Sequence, residues 1–328
     1  MSTRYTRSLP AGSTADPAVP RPAPRRDIAV FLLVAFAGNW LLWTPVVLGW
    51  LPSGPGLVGT DATPVALAIS ATSMFTPALG VLVATRRLRR PASLPGATGL
   101  TSPCPRGRLI GYCALALALF PAINLGTLAA GSLLGLYKAD LTGLSGLREA
   151  LDIAPGTPVL WPALATAAVL FLVGVPLMVG EEWGWRGYLE PRLQPLGLLP
   201  MVLISGLIWG LWHLPVAFLG DREPLLWLPA YVVDCTLSGA LLCWLRLRTH
   251  SIWPAVVGHA AISGFPGAVI TVWLHDMDRP FDAFAVEVLG GWVSWVLKAA
   301  VLLVIVAVGG FRPWSPPVPA RPGTGVCP

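Results

Sequence analysis

The sequence predicts an all-α fold, a polytopic membrane helical bundle with about eight transmembrane helices and both termini cytoplasmic. Three observations predict it. Of the 328 residues 55% are apolar and only 12% are charged, whereas a soluble chain is about a quarter charged. The apolar residues are gathered into blocks about as long as the roughly 20 residues a membrane-spanning helix requires. The blocks are continuously apolar, not alternating over about ten residues, which selects helices over a transmembrane barrel.

In chain order, the expected spans cover residues 28–51, 63–85, 109–136, 158–180, 199–219, 225–247, 252–274 and 290–310. Residues 1–27 are rich in Pro, Ala and Arg and read as a disordered cytoplasmic arm. Residues 312–328 read as a disordered Pro-rich tail, which leaves 28–311 as the transmembrane domain. Basic residues set the orientation. Arg4, Arg7, Arg21, Arg25 and Arg26 precede the first span, and Arg86, Arg87, Arg89, Arg90, Arg106 and Arg108 follow the second. Arg186 and Arg192, Arg246 and Arg248, and Arg312 and Arg321 follow the fourth, sixth and eighth. The alternate loops hold only Lys138, Arg148, Arg222 and Arg279, and are otherwise acidic. By the positive-inside rule both termini are cytoplasmic, as an even number of spans requires. Reporter fusions after residues 60, 145, 222 and 280 are therefore expected to report the outside; a cytoplasmic signal at any two of them contradicts this topology.

The same charge pattern accounts for the net charge of +6 without a nucleic-acid partner. The five cysteines lack a paired spacing, so neither a disulfide framework nor a thiolate metal site is implied. There is no internal repeat and no matched pair of broken helices of the kind that marks many transporters. High usage of Ala, Arg, Gly and Pro points to a bacterium with a GC-rich genome, and hence to the plasma membrane.

Two adjacent glutamates, Glu181 and Glu182, end the fourth apolar run and open the string Glu181-Glu182-Trp183-Gly184-Trp185-Arg186. Ionisable groups at membrane depth are costly and are read as functional until a structural partner explains them. If Gly197 is the apex of a helical hairpin, Glu181 and His213 each lie sixteen residues from it, or roughly 24 Å at about 1.5 Å per residue. A carboxylate and an imidazole then meet at one depth. His259 enters about 12 Å along the seventh span, so that three helices bring polar groups to one cavity, expected to open toward the cytoplasmic leaflet. Glu182 and Arg186 are four residues apart on one helix face and are expected to pair, leaving Glu181 free to act as a base. The bland alternative has both glutamates solvated in a loop and His213 packed among Trp209, Trp212 and Pro215. Among the remaining groups, Asp234 reads as a structural hydrogen-bond acceptor, Lys298 as snorkelling to the interface, and His250 and His275 as solvated. Trp183, Trp185, Trp209 and Trp212 cluster where they would line a lipid- or peptide-binding cavity.

The ordered set of Glu-Glu-x-x-x-Arg, an aromatic four residues before His213, and His259 in a later span resembles the CPBP family of intramembrane proteases, also called the CAAX prenyl endopeptidase or Abi family. The stretch from Arg248 to His259 is similar to the family's approach to its last motif. The resemblance implies that Glu181 and His213 polarise the attacking water, that Glu182 and Arg186 hold the site in shape, and that His259 with Ser263 stabilises the oxyanion of a protein or peptide substrate within membrane lipid. Two positions depart from the family pattern: Trp209 stands where Phe is usual, and Ser263 where Asn is usual. Two ways of activating water remain compatible with these residues. One is a Zn²⁺ held by Glu181, His213 and His259 with an open position for water; the other is metal-free. A non-catalytic scaffold or immunity protein is the alternative that the Ser263 departure allows.

Overall fold

The computed structural model describes residues 25–52, 63–87, 91–136, 138–219, 223–263, 273–276 and 291–312. Among these the regular secondary structure is helical, apart from an isolated antiparallel bridge between Ala139 and His275. The α-helices are α1 (Arg25–Val47), α2 (Pro64–Ser73), α3 (Thr76–Arg87), α4 (Leu94–Thr98), α5 (Arg106–Leu133), α6 (Ser145–Ala150), α7 (Leu160–Gly184), α8 (Glu190–Leu193), α9 (Leu198–Trp212), α10 (Pro224–Thr249), α11 (Trp253–Ser263) and α12 (Gly291–Ala307). A π-helical turn, Trp185–Leu189, joins α7 to α8, and 3₁₀ turns occupy Gln194–Leu196 and Leu214–Phe218.

Five stretches are long and apolar enough to cross a membrane: Arg25–Val47, Pro64–Arg86, Arg106–Leu133, Leu160–Leu196 and Pro224–Thr249. Each of the other three expected spans holds an apolar helix of 10–17 described residues: Leu198–Trp212, Trp253–Ile262 and Gly291–Ala307. Of the eight expected spans, five thus coincide with stretches long and apolar enough to cross a membrane and three with shorter apolar helices. The fifth is short because α9 stops at His213, and Pro215 then shapes a 3₁₀ turn, since a proline both lacks an N–H and disfavours helical geometry in the residue before it. At the amino end α1 begins at Arg25, three residures before the expected boundary, with Asp27 in its first turn, where a carboxylate suits the helix dipole. Of the expected tails, 1–27 and 312–328, residues 1–24 and 313–328 lie outside the described residues, while Arg25–Asp27, expected in the disordered arm, are helical.

Large apolar side chains such as Leu41, Leu117, Leu172, Leu203 and Leu303 point outward. In water they would form patches that a soluble monomer rarely tolerates; in lipid they are the solvent-facing surface. Helix contacts inside the bundle are made by small residues. Gly206 and Gly210 lie one turn apart on α9, and a Cβ at either would collide with α10, at Thr236 or Val232. Between α7 and α3, Gly180 and Gly184 similarly face Met74, Phe75 and Pro77, with no room for a methyl group. Without a hydrophobic force between helices in lipid, such close backbone approach is what holds a bundle together. It also sets the site: α7, α9, α10 and α11 carry its residues, and the glycines bring their axes close.

The loop between α5 and α6 is tied down by Asp140, whose carboxylate accepts from the backbone N–H groups of Ser145, Gly143 and Thr142. These donors, that of Ser145 foremost, hold its carboxyl well below the usual range. The backbone N–H of Gly146 donates to the carbonyl of His275, which is buried, contrary to the solvated loop histidine expected from the sequence.

Candidate active site

Glu181 and Glu182 lie in the last turn of α7, and both are buried, at 2% and 0% exposure. The solvated-loop alternative is thus ruled out, and the energetic question becomes what satisfies two carboxylates out of water. For Glu182 the answer is two donors on one oxygen: Arg186 Nη1 and His259 Nδ1 each stand 2.8 Å from Oε1. The expected pairing of Glu182 with Arg186 at i, i+4 is present. It survives although Arg186 sits in the π-helical turn, a feature frequent at functional sites. Arg186 Nε lies 3.5 Å from Oε1 of Glu190, and its guanidinium stacks 4.3 Å from the Trp209 ring centroid.

Glu181 faces another way. Its Oε2 accepts from two indoles, Trp209 Nε1 at 2.8 Å and Trp185 Nε1 at 3.2 Å. The hairpin arithmetic is off by about a turn, since the residue hydrogen-bonded across from Glu181 is Trp209, not His213. The π-helical turn accounts for the direction of the slip: its wider i→i+5 turn uses extra residues in the arm between Glu181 and Gly197, so a residue nearer the apex comes opposite. His213 nevertheless joins the site. It follows the last residue of α9, its Nδ1 is 2.9 Å from the Trp209 carbonyl, and its ring packs edge-on against Trp212 and Tyr231 at 4.8 Å. Because a carbonyl only accepts, Nδ1 carries the proton and Nε2 is left as the acceptor.

Glu181, His213 and His259 all line one cavity of about 430 Å³, with Trp43, Met74, Trp209, Trp227, Tyr231, Asp234 and Trp295 among its other walls. On α10 the lining runs from Trp227 to Ser238, the half distant from Arg246 and Arg248. The arginine-rich end of the bundle has instead a separate pocket of about 90 Å³ formed by Arg186, Glu190, Arg246 and His250, among others. The expected opening toward the arginine-rich side is therefore not the disposition of the main cavity.

Of the tryptophans expected to line the cavity, only Trp209 does so. Trp185 and Trp212 pack edge-on together at 6.0 Å. Trp183 turns away to donate to Thr98 at 2.9 Å. Lys298 does not snorkel: it is buried and pairs with Asp234 Oδ1 at 2.6 Å, so Asp234 is both a structural acceptor and part of the cavity wall. Glu190 went unnoticed in the sequence, although its i, i+4 spacing from Arg186 repeats the spacing that paired Glu182. The side chain of Ser263 lies outside the described residues. Cys104, Cys113, Cys235 and Cys243 are free thiols.

Glu181, His213 and His259 share the cavity, yet among the described residues no three His, Cys, Asp or Glu side chains form a group that could hold a metal ion. The ligand atoms are partly taken: Glu181 Oε2 by the indoles, His213 Nδ1 by a carbonyl, and His259 Nδ1 by Glu182.

A buried carboxylate and an imidazole on one cavity, beside a carboxylate-anchored second histidine, make up the kind of donor and acceptor set that could polarise a water molecule. Residues 160–265, which run from the start of α7 past the end of α11 and include every one of these groups, match the family model of the type II CAAX prenyl endopeptidase Rce1-like domain. The match over these residues supports the CPBP family of membrane proteases. No curated protein sequence matches it at a significant level.

Proposed function

We propose that the chain is an intramembrane endopeptidase that hydrolyses a peptide bond, with a CAAX-type segment as the substrate class its family match favours. One observation carries this reading: Glu181 and His213 each have one polar atom fixed by a hydrogen bond, and both line the same cavity. A water between Glu181 Oε1 and His213 Nε2 gives up a proton to the carboxylate as its oxygen attacks the peptide carbonyl carbon. The developing oxyanion is met by His259 Nε2, which donates when the ring carries both protons, while Glu182 Oε1 accepts from Nδ1–H and fixes the ring. Collapse breaks the C–N bond, and the proton held by Glu181 passes to the leaving amine. Arg186 keeps Glu182 and Glu190 in register behind the site.

The test is cleavage of a peptide library by the purified protein in lipid, with and without chelator. Cleavage that persists in chelator is the outcome expected of metal-free water activation by Glu181 and His213. Loss of activity restored by Zn²⁺ would reassign Glu181, His213 and His259 as metal ligands. The scaffold alternative turns on Ser263. If its hydroxyl completes the oxyanion site, Ser263→Ala lowers turnover by about 10- to 1,000-fold, the upper end being the loss of one well-placed donor, and leaves peptide binding intact. Ser263→Asn retains or raises activity. An Ala variant as active as wild type removes Ser263 from the site.

A further inference from the structure

Trp209 touches four groups of the candidate site. Its indole N–H donates to Glu181 at 2.8 Å, its backbone carbonyl accepts from His213 Nδ1 at 2.9 Å, its ring carries the Arg186 guanidinium at 4.3 Å, and the His259 ring stands edge-on to it at 5.0 Å. We propose that Trp209 is a positioning residue whose indole N–H, absent from the Phe usual at this position, aims the Glu181 carboxylate at the attacking water. The proposal rests on the reading of Glu181 as the base.

The physical need is clear from the burial. A glutamate side chain has three rotatable bonds, and a carboxylate 2% exposed has no bulk water to hold it in one rotamer. Two donors on Oε2, one from the π-helical turn and one from α9, fix the carboxylate plane and leave Oε1 for the cavity. Of the two, Trp209 is the nearer, and it alone lines the cavity. Its ring cannot swing away: it is 4% exposed, Arg186 covers its face, and a Cβ added at Gly239 on α10 would already be in van der Waals contact with it. A phenyl ring would keep the wall and the cation contact but would offer Glu181 nothing.

The experiment replaces Trp209 alone with β-(3-benzothienyl)alanine, which keeps the bicyclic shape and puts sulfur in place of the N–H, alongside Trp209→Phe. Each should lower kcat by about 10- to 100-fold, the loss of one hydrogen bond to a charged group, with KM unchanged. A second readout does not depend on turnover. The ¹⁵N–H indole resonance of Trp209, assigned from its absence in Trp209→Phe, should move upfield in Glu181→Gln, because a neutral amide is a weaker acceptor than a carboxylate. Wild-type kcat in the isostere, a change confined to KM, or an indole resonance indifferent to Glu181→Gln would each overturn the assignment. If the resonance responds but wild type cleaves no peptide, the clamp is upheld and the hydrolase reading falls by itself.

Discussion

Glu181→Gln is expected to abolish peptide cleavage without unfolding the protein. The amide keeps the volume, and its carbonyl oxygen still accepts from Trp209 and Trp185, so the two indole N–H groups that now meet at 2.8 and 3.2 Å are not orphaned. What is lost is the capacity to take a proton from water, a contribution of about 10²- to 10⁴-fold in rate for a well-placed base. Turnover of a cleaved peptide, measured beside thermal unfolding in detergent, checks both halves of the expectation. Should wild type and Glu181→Gln support the same cellular phenotype equally well, the scaffold reading takes the place of the hydrolase.

The largest effect on stability is expected at Arg186. Its guanidinium is 1% exposed and is the cation beside both Glu182 and Glu190, themselves buried. Arg186→Met fills the space but strands two carboxylates, and breaking a buried ion pair from one side costs about 3–5 kcal/mol. Adding Glu182→Gln and Glu190→Gln to the Met variant should recover much of that loss. Arg186→Lys should fall between, since an ammonium keeps the charge but has neither the fork for two carboxylates nor the flat face that lies on Trp209. Equilibrium unfolding of the four proteins decides it; a Met variant as stable as wild type would show that the carboxylates are not charged in the fold.

Much of this was legible in the sequence because it follows from local spacing. The Glu182–Arg186 pair is an i, i+4 relation, and the apolar blocks fell where helices lie. The placing of Glu181, His213 and His259 on three separate helices was enough to foresee one shared cavity. What could not be read depends on how the axes are offset. Glu181 comes opposite Trp209 with a π-helical turn in the same arm, and no residue in Trp185–Leu189 announces that turn by its type. Likewise Lys298 sits 64 residues from Asp234, and from the sequence alone its side chain is as well suited to an interface as to a buried pair. The bond between Glu182 and His259, on α7 and α11, is of the same long-range kind. Glycine spacing was the signal left unused: Gly206 and Gly210, one turn apart in an apolar run, mark the α9 face that meets α10.

The brevity of α9 has a consequence for the interior of the bundle. Its 15 residues rise about 22 Å, against a hydrocarbon core of about 30 Å. The polar end of so short a helix is satisfied from within the protein, the Trp212 carbonyl by Asn39 Nδ2 at 2.7 Å and His213 Nδ1 by the Trp209 carbonyl, so it needs no solvent from the lipid side. Where a helix ends short inside a bundle it leaves room, and His213 stands at the wall of a cavity of about 430 Å³. Water, scarce in oil, has a polar-walled place to stand there.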